Sequence, residues 1–333
     1  MTASAGPATV GGPFFEDLEV GQLIEDAPAL TLTPGHAALH QAIVGDRLRL
    51  ALDGELSARV LGSAAPLAHP ALVWDVAIGQ STMVTRRVIA NLFYRGLAFR
   101  RAPVIGDTLH TTTEIVALRQ NQPRPSRDAT GLAVLRVRCV DQERRPVLDF
   151  WRCAMLPLRD PDGHTVHADD LDAIPAELDP KLLADAVAGW RLETIPGRPG
   201  FEALEPGSRW TVQGGDVVSA APELARLTLN VATAHHDATR RGRRLVYGGH
   251  TIGIAASQLT RALPDLLTIV AWHGCDHVGR VLEGDTLTSE IELESCQALP
   301  SGGGLMHLRS RVDVQRGDAR TPVLDWRLVG VMA

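Results

Sequence analysis

The densest group of chemically reactive side chains lies between residues 230 and 250. It comprises an amide, three histidines, a carboxylate, four arginines, a phenol and a Gly-Gly step, namely Asn230, His235, His236, Asp237, Arg240, Arg241, Arg243, Arg244, Tyr247, Gly248, Gly249 and His250. Histidine is the side chain whose ordinary pKa suits it to accept a proton near neutral pH. Backbone N–H groups that are left free where a helix begins can stabilise a developing negative charge. The segment therefore predicts general-base chemistry beside an anion-stabilising helix end.

Helices and strands must hold these side chains in position. Apolar residues recur at helical spacing over 222–233 and 249–263, so we predict helices on both sides of the reactive segment. Apolar and polar residues alternate over 286–294 and 306–314, which predicts strands with one buried and one solvent-facing side. An antiparallel sheet of this kind packed on a helix is an α+β arrangement.

An internal repeat divides the chain. The segments 104–109, 135–142 and 146–150 recur in the same order as 282–287, 308–315 and 322–326. This duplication predicts an N-terminal copy over 13–157 and a C-terminal copy over 200–333. The linker between them, 158–199, is rich in Asp, Pro and Ala and predicts one short helix near 180–189. We assign no chemistry to the linker.

The composition excludes several classes of protein. The apolar fraction of 45% is that of a globular chain, and the net charge of −6 gives no general attraction for nucleic acid or anionic lipid. No apolar run reaches the roughly 20 residues that a membrane helix needs. The four cysteines form no Cys-x-x-Cys pair, which disfavours a zinc knuckle and a disulfide framework. We expect a soluble cytoplasmic protein with no nucleic acid or membrane partner.

The reactive segment resembles the motif of the MaoC-like (R)-specific enoyl-CoA hydratases, which are hot-dog proteins. That motif reads Gly-Asp-x-Asn-Pro-(apolar)-His-x-Asp and is followed by His-Gly at the central helix. Residues 229–237 resemble its first part, and Tyr247-Gly248 stands where the family has His-Gly. In the N-terminal copy, 45–53 and His69-Pro70 resemble the same pattern. The segments most similar to the mesaconyl-CoA hydratase branch, also called β-methylmalyl-CoA dehydratase, are 15–17, 90–94 and 244–251.

The resemblance implies an α+β double hot-dog. In that fold two antiparallel sheets, each wrapped around a long central helix, are joined edge to edge. An acyl-CoA thioester would bind between the copies, and water would be added to or removed from its α,β bond. The substrate would be a short or branched enoyl-CoA or 3-hydroxyacyl-CoA. The resemblance implies no metal and no cofactor besides the coenzyme A of the substrate.

Carried over by position, the catalytic roles of the family fall on Asn230, His235 and Gly248. An amide cannot accept a proton at neutral pH, so Asn230 can orient a water molecule while the base work passes to His235. The N-terminal copy has the opposite defect, because Asp46 keeps the carboxylate and Ala51 replaces the histidine. Either the two copies form a composite site, or the C-terminal copy holds a single site. We favour the single site.

Other residues of the segment are candidates for substrate binding, and for each a packing or solvated role is the alternative. They are Tyr247, Gly249, His250, Asp237, Arg243, Arg244 and Asp46. The arginines could bind the phosphates of coenzyme A, since the guanidinium fork matches phosphate geometry. The strand segment 273–277 holds two histidines and a cysteine on alternate positions, but ligands so close along one strand cannot complete a tetrahedral metal site.

Two rival functions stay open. A thioesterase on the same scaffold would direct water at the carbonyl carbon, and a non-catalytic acyl-CoA-binding protein is suggested by Asn230 and Ala51. Free thiol release would identify the first, and binding without turnover the second. The protein is expected to be a monomer or a homodimer.

Overall fold

The computed structural model describes residues 10–125, 127–172, 174, 178–195, 200–239, 242–317 and 319–333. The helices of these ranges are α1 (Pro34–Val44), α2 (Arg49–Leu52), α3 (Gly54–Leu61), α4 (Pro70–Gln80), α5 (Pro180–Ala186), α6 (Ala221–Leu227) and α7 (Gly248–Ala262). The strands are β1 (Leu23–Ile24), β2 (Leu30–Thr31), β3 (Ala90–Phe99), β4 (Thr108–Gln120), β5 (Thr130–Val140), β6 (Pro146–Pro157), β7 (Arg209–Thr211), β8 (Asp216–Val217), β9 (Leu266–His277), β10 (Thr286–Ala298), β11 (Gly304–Arg316) and β12 (Ala319–Met332).

The strands form one continuous antiparallel sheet in the order β1-β4-β5-β6-β3-β9-β12-β11-β10-β7, with β2 on β4 and β8 on β10. The order of the first five strands is mirrored by that of the last five. The two halves meet where β3 pairs with β9, for example at Tyr94 opposite Cys275 and Ala98 opposite Ala271. The predicted α+β fold with sheets joined edge to edge is therefore confirmed.

The repeated Gly-Asp-Thr-Leu segment makes the same turn in both copies. Gly106 and Gly284 have φ of 107° and 87°, a region that favours glycine. The carboxylates of Asp107 and Asp285 each accept the N–H of the residue three positions earlier. The sequence repeat is thus also a repeat of local geometry.

The two central helices are α4 and α7, and both lie against the inner side of the curved sheet. Every residue of α4 is buried, because the helix touches the sheet on one side and α7 on the other. Trp74 of α4 packs edge to face against Trp272 of β9, with ring centroids 4.7 Å apart. In the described part of the chain, no helix is both long and apolar enough to span a membrane.

The linker helix covers the outer side of the sheet at the seam between the copies. Leu183 of α5, Val187 and Trp190 are buried against Ala98 of β3 and Val270 of β9. The predicted helix at 180–189 is confirmed, although it ends at residue 186. This packing fixes the linker helix to the sheet.

Candidate active site

A cavity of about 200 Å³ lies between the two copies. The N-terminal copy contributes polar groups from the end of α4 and from β3 and β6, namely Thr82, Thr85, Tyr94 and Arg152. The C-terminal copy contributes Asn230, His235, Tyr247, Gly248 and His277. Both copies are therefore needed to complete the cavity.

His235 is held in one tautomer by the backbone. It ends the short 3₁₀ turn Thr233–His235, and its ring nitrogen Nδ1 lies 2.9 Å from the carbonyl oxygen of Leu245. Because a carbonyl oxygen only accepts, Nδ1 carries the proton and Nε2 presents a lone pair. Burial lowers the pKa of His235 to about 4, so the ring is neutral at neutral pH. The ring lines the cavity as an unprotonated base.

Asn230 is brought to the cavity by an early end of α6. The predicted helix over 222–233 stops at residue 227 because Leu229 adopts a left-handed φ of 58°. The carbonyl of Thr228 there passes so close to Gly79 of α4 that a Cβ atom on Gly79 would overlap it. Asn230 thus lies in a loop and not in the interior of a helix.

The Asn230 side chain offers a donor to the cavity. Its Oδ1 accepts the backbone N–H of Ala232 at 3.0 Å, which fixes the orientation of the amide. Its Nδ2 is buried and has no acceptor among the described residues. The free end of the amide is therefore an N–H group, which can hold the oxygen of a water molecule or of a substrate.

Gly248 is the first residue of α7, and its N–H meets no acceptor in the ranges that the structure describes. A Cβ atom on Gly248 would lie 2.7 Å from Nε2 of His277 and 3.6 Å from the hydroxyl oxygen of Tyr94. The absence of a side chain keeps this space open. The N-terminal end of a helix carries a partial positive charge, so this space suits an oxyanion.

Tyr247 and Gly249 join the end of α7 to α4. The Tyr247 hydroxyl donates to the backbone carbonyl of Asp75 at 3.0 Å, and its ring packs on His235 with centroids 5.7 Å apart. A Cβ atom on Gly249 would overlap the Asp75 carboxylate. Tyr247 lines the cavity, whereas Gly249 allows the close approach of the two helices.

His250 and Asp46 do not line the cavity. His250 is 1% exposed, and burial lowers its pKa to about 4. Asp46 is fully buried, contacts the ring of His69 and accepts the N–H of Leu48 at 3.0 Å. Desolvation raises the pKa of Asp46 to about 6. The geometry does not support substrate binding by either residue, nor a composite site of Asp46 with His235.

His236 and Asp237 serve the local backbone. Nε2 of His236 lies 2.7 Å from the carbonyl oxygen of Asn230, which helps to hold the Asn230 loop. The Asp237 carboxylate accepts the N–H and the hydroxyl of Thr239. Neither side chain lines the cavity, so a direct contact of Asp237 with the substrate is not supported.

The arginines of the reactive segment are engaged by carboxylates where the structure describes them. Arg243 pairs with Asp285 at 3.0 Å and Arg244 with Glu283 at 2.8 Å, and neither lines the cavity. Residues 240–241 lie outside the described residues. Phosphate binding by Arg243 and Arg244 stays a prediction.

The cavity residues that sequence reasoning missed include Tyr94, Arg152, His277 and Arg280. The hydroxyl of Tyr94 has no hydrogen-bond partner in the described part of the chain, and burial raises its pKa, so it remains protonated. Nε2 of His277 is buried without a partner, and burial lowers the pKa of this histidine to about 4. Arg280 is exposed and forms no ion pair with any described residue.

A bulge in β9 separates the histidines of 273–277. Trp272 and Cys275 both pack in the inner core, which requires an extra residue between them. His273 therefore lies on the outer side of the sheet, where its ring stacks on His307. Their alternate positions predicted that residues 273, 275 and 277 share one side of the strand, and this prediction is wrong. The described residues hold no group of three or more His, Cys, Asp or Glu side chains that could bind a metal.

The fold and the cavity define a double hot-dog protein. A structure from Mycobacterium tuberculosis, of a protein essential for bacterial survival during infection and with a double hot-dog fold, is 52% identical. The superposition covers 98% of this chain and 100% of the chain in that structure, with a TM-score of 0.91. A protein of Chloroflexus aurantiacus assigned as a MaoC-domain dehydratase is 27% identical over 98% and 99% of the two chains, with a TM-score of 0.82.

Two curated relatives are each 30% identical over 322 residues. They are β-methylmalyl-CoA dehydratase of Chloroflexus aurantiacus, with 93% of this chain and 89% of the relative covered, and mesaconyl-CoA hydratase of Cereibacter sphaeroides, with 90% and 89% covered. No protein-family model matches the chain. The chain belongs to the MaoC-like family of these two hydratases and dehydratases. Its assignment as a hydro-lyase is confirmed.

Proposed function

We propose that the chain adds water to, or removes it from, the α,β bond of an acyl-CoA thioester bound in the cavity between the copies. The observation that carries this proposal is the tautomer of His235. Its Nδ1–H is committed to the Leu245 carbonyl, which leaves a lone pair on Nε2 in a cavity that also holds the free N–H of Gly248. A base and an oxyanion donor are the two groups that this reaction needs.

In the direction of hydration, Nε2 of His235 takes a proton from water and the water oxygen bonds to the β carbon. The electron pair of the double bond moves toward the thioester carbonyl, whose oxygen gains negative charge. The N–H of Gly248 stabilises that oxygen, and Nδ2 of Asn230 donates to the water oxygen. The proton on Nε2 then passes to the α carbon, so that the sum of the steps is the addition of one water molecule. Dehydration reverses these steps.

The size of the cavity supports a short or branched acyl group. A volume of about 200 Å³ is below the roughly 300–1,000 Å³ of pockets that hold drug-sized ligands. The names of the curated relatives, mesaconyl-CoA hydratase and β-methylmalyl-CoA dehydratase, support an acyl-CoA thioester as substrate. Arg280 lines the cavity and is exposed, which makes it a candidate for binding the phosphates of coenzyme A.

The proposed steps use only side chains and backbone groups of this chain, so we propose no cofactor. Because both copies of a single chain line the cavity, the site would be complete in a monomer as well as in a homodimer. We propose a cytoplasmic location, which is supported by four cysteines that all carry free thiols.

A panel of enoyl-CoA and 3-hydroxyacyl-CoA thioesters tests the proposal. We expect the absorbance of the conjugated thioester to fall with the enoyl compounds and to rise with the hydroxyacyl compounds, with no free thiol released. Thiol release at the same rate would identify a thioesterase instead. Binding of the thioesters without any turnover would overturn the enzymatic proposal in favour of an acyl-CoA-binding protein.

A further inference from the structure

Arg152 is a buried cation in the wall of the cavity. It lies on β6 of the N-terminal copy, and its side chain is 3% exposed. Its Nη2 donates to the hydroxyl of Thr85 at 2.6 Å and to the carbonyl of Ser81 at 3.2 Å, just beyond the C-terminal end of α4. These contacts hold one edge of the guanidinium, while its Nε and Nη1 have no partner among the residues that the structure describes.

No carboxylate neutralises this cation in the described part of the chain. Arg152 forms no ion pair with a described residue, and its Nε is buried without an acceptor. Burial lowers the pKa of Arg152, and no Asp or Glu is among the groups that oppose this effect. Buried arginines are almost always paired, because desolvation of an isolated charge is costly. A charge of this kind in a cavity wall calls for an anion from outside the chain.

The fold itself does not need an arginine at this position. In the C-terminal copy the corresponding residue is Leu328. Arg152 lies two positions after the repeated segment 146–150, and Leu328 lies two positions after its counterpart 322–326. Arg152 pairs with Leu135 across β5 and β6, and Leu328 pairs with Leu308 across β11 and β12. Leu328 is fully buried in the core. An aliphatic side chain therefore satisfies the same place in the sheet, and the arginine is particular to the cavity.

Arg152 also lies close to the reacting groups. Its positive charge is one of the causes that lower the pKa of His235, after burial. Tyr94 and Tyr247, which line the cavity beside Gly248, are near enough to the same guanidinium to affect its pKa. A group bound by Arg152 would thus belong to the acyl part of the substrate and not to the distant phosphates of coenzyme A.

We propose that Arg152 binds a carboxylate on the acyl group and so selects enoyl-CoA thioesters that carry a second, free carboxylate. The guanidinium presents its unused N–H donors in a plane that matches the two oxygens of a carboxylate. This inference rests on the proposed function, because it takes the ligand of the cavity to be an acyl-CoA thioester.

Binding of saturated thioesters tests the inference separately from catalysis. Succinyl-CoA carries a carboxylate where butyryl-CoA carries a methyl group. Neither acyl chain has a double bond, so neither compound can be hydrated. Titration calorimetry should give tighter binding of succinyl-CoA to the unmodified protein. In Arg152→Leu, which introduces the residue of the C-terminal copy, the affinity for succinyl-CoA should fall by roughly 10²-fold or more while that for butyryl-CoA is kept or rises.

Turnover of the matched unsaturated pair completes the test. Fumaryl-CoA should be hydrated with a higher kcat/KM than crotonyl-CoA, and Arg152→Leu should reverse the order. If binding shows the preference but neither compound turns over, the proposed hydration fails and the role of Arg152 stands. Equal losses of affinity for both saturated compounds, or a preference for butyryl-CoA in the unmodified protein, would overturn the role of Arg152.

Thermal unfolding of each variant provides the control for folding. If Arg152→Leu does not fold, Arg152→Gln replaces it, since glutamine keeps a donor for the Ser81 carbonyl and removes the charge. The same selective loss for succinyl-CoA is then expected, and an unchanged preference for succinyl-CoA would contradict the proposal.

Discussion

The ring nitrogen Nδ1 of His235 lies 2.9 Å from the carbonyl oxygen of Leu245, so the other nitrogen of the ring is free to act as a base. We expect His235→Ala to lower kcat by about 10²–10⁴-fold, the usual contribution of a positioned general base. Steady-state hydration kinetics measure this loss, and circular dichroism checks that the variant is folded. His164→Ala, which removes an exposed histidine, is the matched control and should leave kcat unchanged. Near-normal turnover in folded His235→Ala would remove His235 from the mechanism.

The lowered pKa of His235 predicts the pH dependence of the reaction. A pKa of about 4 means that the base is unprotonated at all higher pH, so kcat/KM should stay level from pH 8 to about pH 5 and fall below it. In Asn230→Asp, a carboxylate beside the ring favours the charged imidazolium and raises the pKa of His235. The acid limb of the profile should then move to higher pH. An acid limb that stays in place would show that position 230 does not face His235.

Much of this site could be predicted from the sequence, because the motif residues lie close together in the chain. His235, Asn230 and Gly248 are within one segment, and their spacing already indicates a base followed by a helix N-terminus. The orientation of the Asn230 amide could not be predicted, since it depends on the left-handed turn at Leu229 and on the N–H of Ala232. Arg152 was missed because its role depends on pairing between distant strands.

The repeat predicted two copies but not the fate of the motif residues in the N-terminal copy. Asp46 has the residue type of a catalytic group, yet it is fully buried against His69. Residue type and spacing do not specify whether a side chain meets a cavity or a packed core, because that depends on how α1 packs on α4 and α7. The residue type and position of His250 likewise do not specify whether its side chain meets the cavity or the packed core.

Gly248→Ala tests the oxyanion position. The new methyl group would lie 2.7 Å from Nε2 of His277, in the space where the thioester oxygen is expected. We expect kcat to fall by roughly 10²-fold or more, as when one oxyanion donor is lost. Gly35→Ala is the control, because the nearest atom to a Cβ there is the Thr33 hydroxyl at 3.6 Å and its activity should be unchanged. A fully active Gly248→Ala would place the thioester oxygen elsewhere.

Buried neutral histidines should make the fold sensitive to acid. Burial lowers the pKa of His250 to about 4, below the ordinary value of 6.5, so the unfolded chain binds a proton more readily than the folded one. The stability from this group is present above pH 6.5 and is lost as the pH falls toward 4. Each group of this kind contributes about 2 kcal/mol of destabilisation at pH 5.

We therefore expect urea unfolding to give a smaller loss of stability between pH 7.5 and pH 5 in His250→Gln than in the unmodified protein. The raised pKa of Asp46 acts in the opposite direction, but it is common to both proteins and cancels in this comparison. An identical pH dependence of the two proteins would show that His250 is not kept neutral by burial.

The two copies should form one indivisible unit. β3 of the N-terminal copy pairs along β9 of the C-terminal copy, and Tyr94 and Arg152 of the first complete the cavity that holds His235 of the second. Separation would expose the unpaired N–H and C=O groups of β3 and β9, which favours self-association.

We expect residues 1–157 and 200–333, expressed apart, to be insoluble or self-associated and inactive in hydration. Co-expression of 1–199 with 200–333 should restore a soluble, active complex, because the linker helix then covers the seam. A monomeric and active 200–333 fragment would show that the N-terminal copy is dispensable and would refute a cavity shared between the copies.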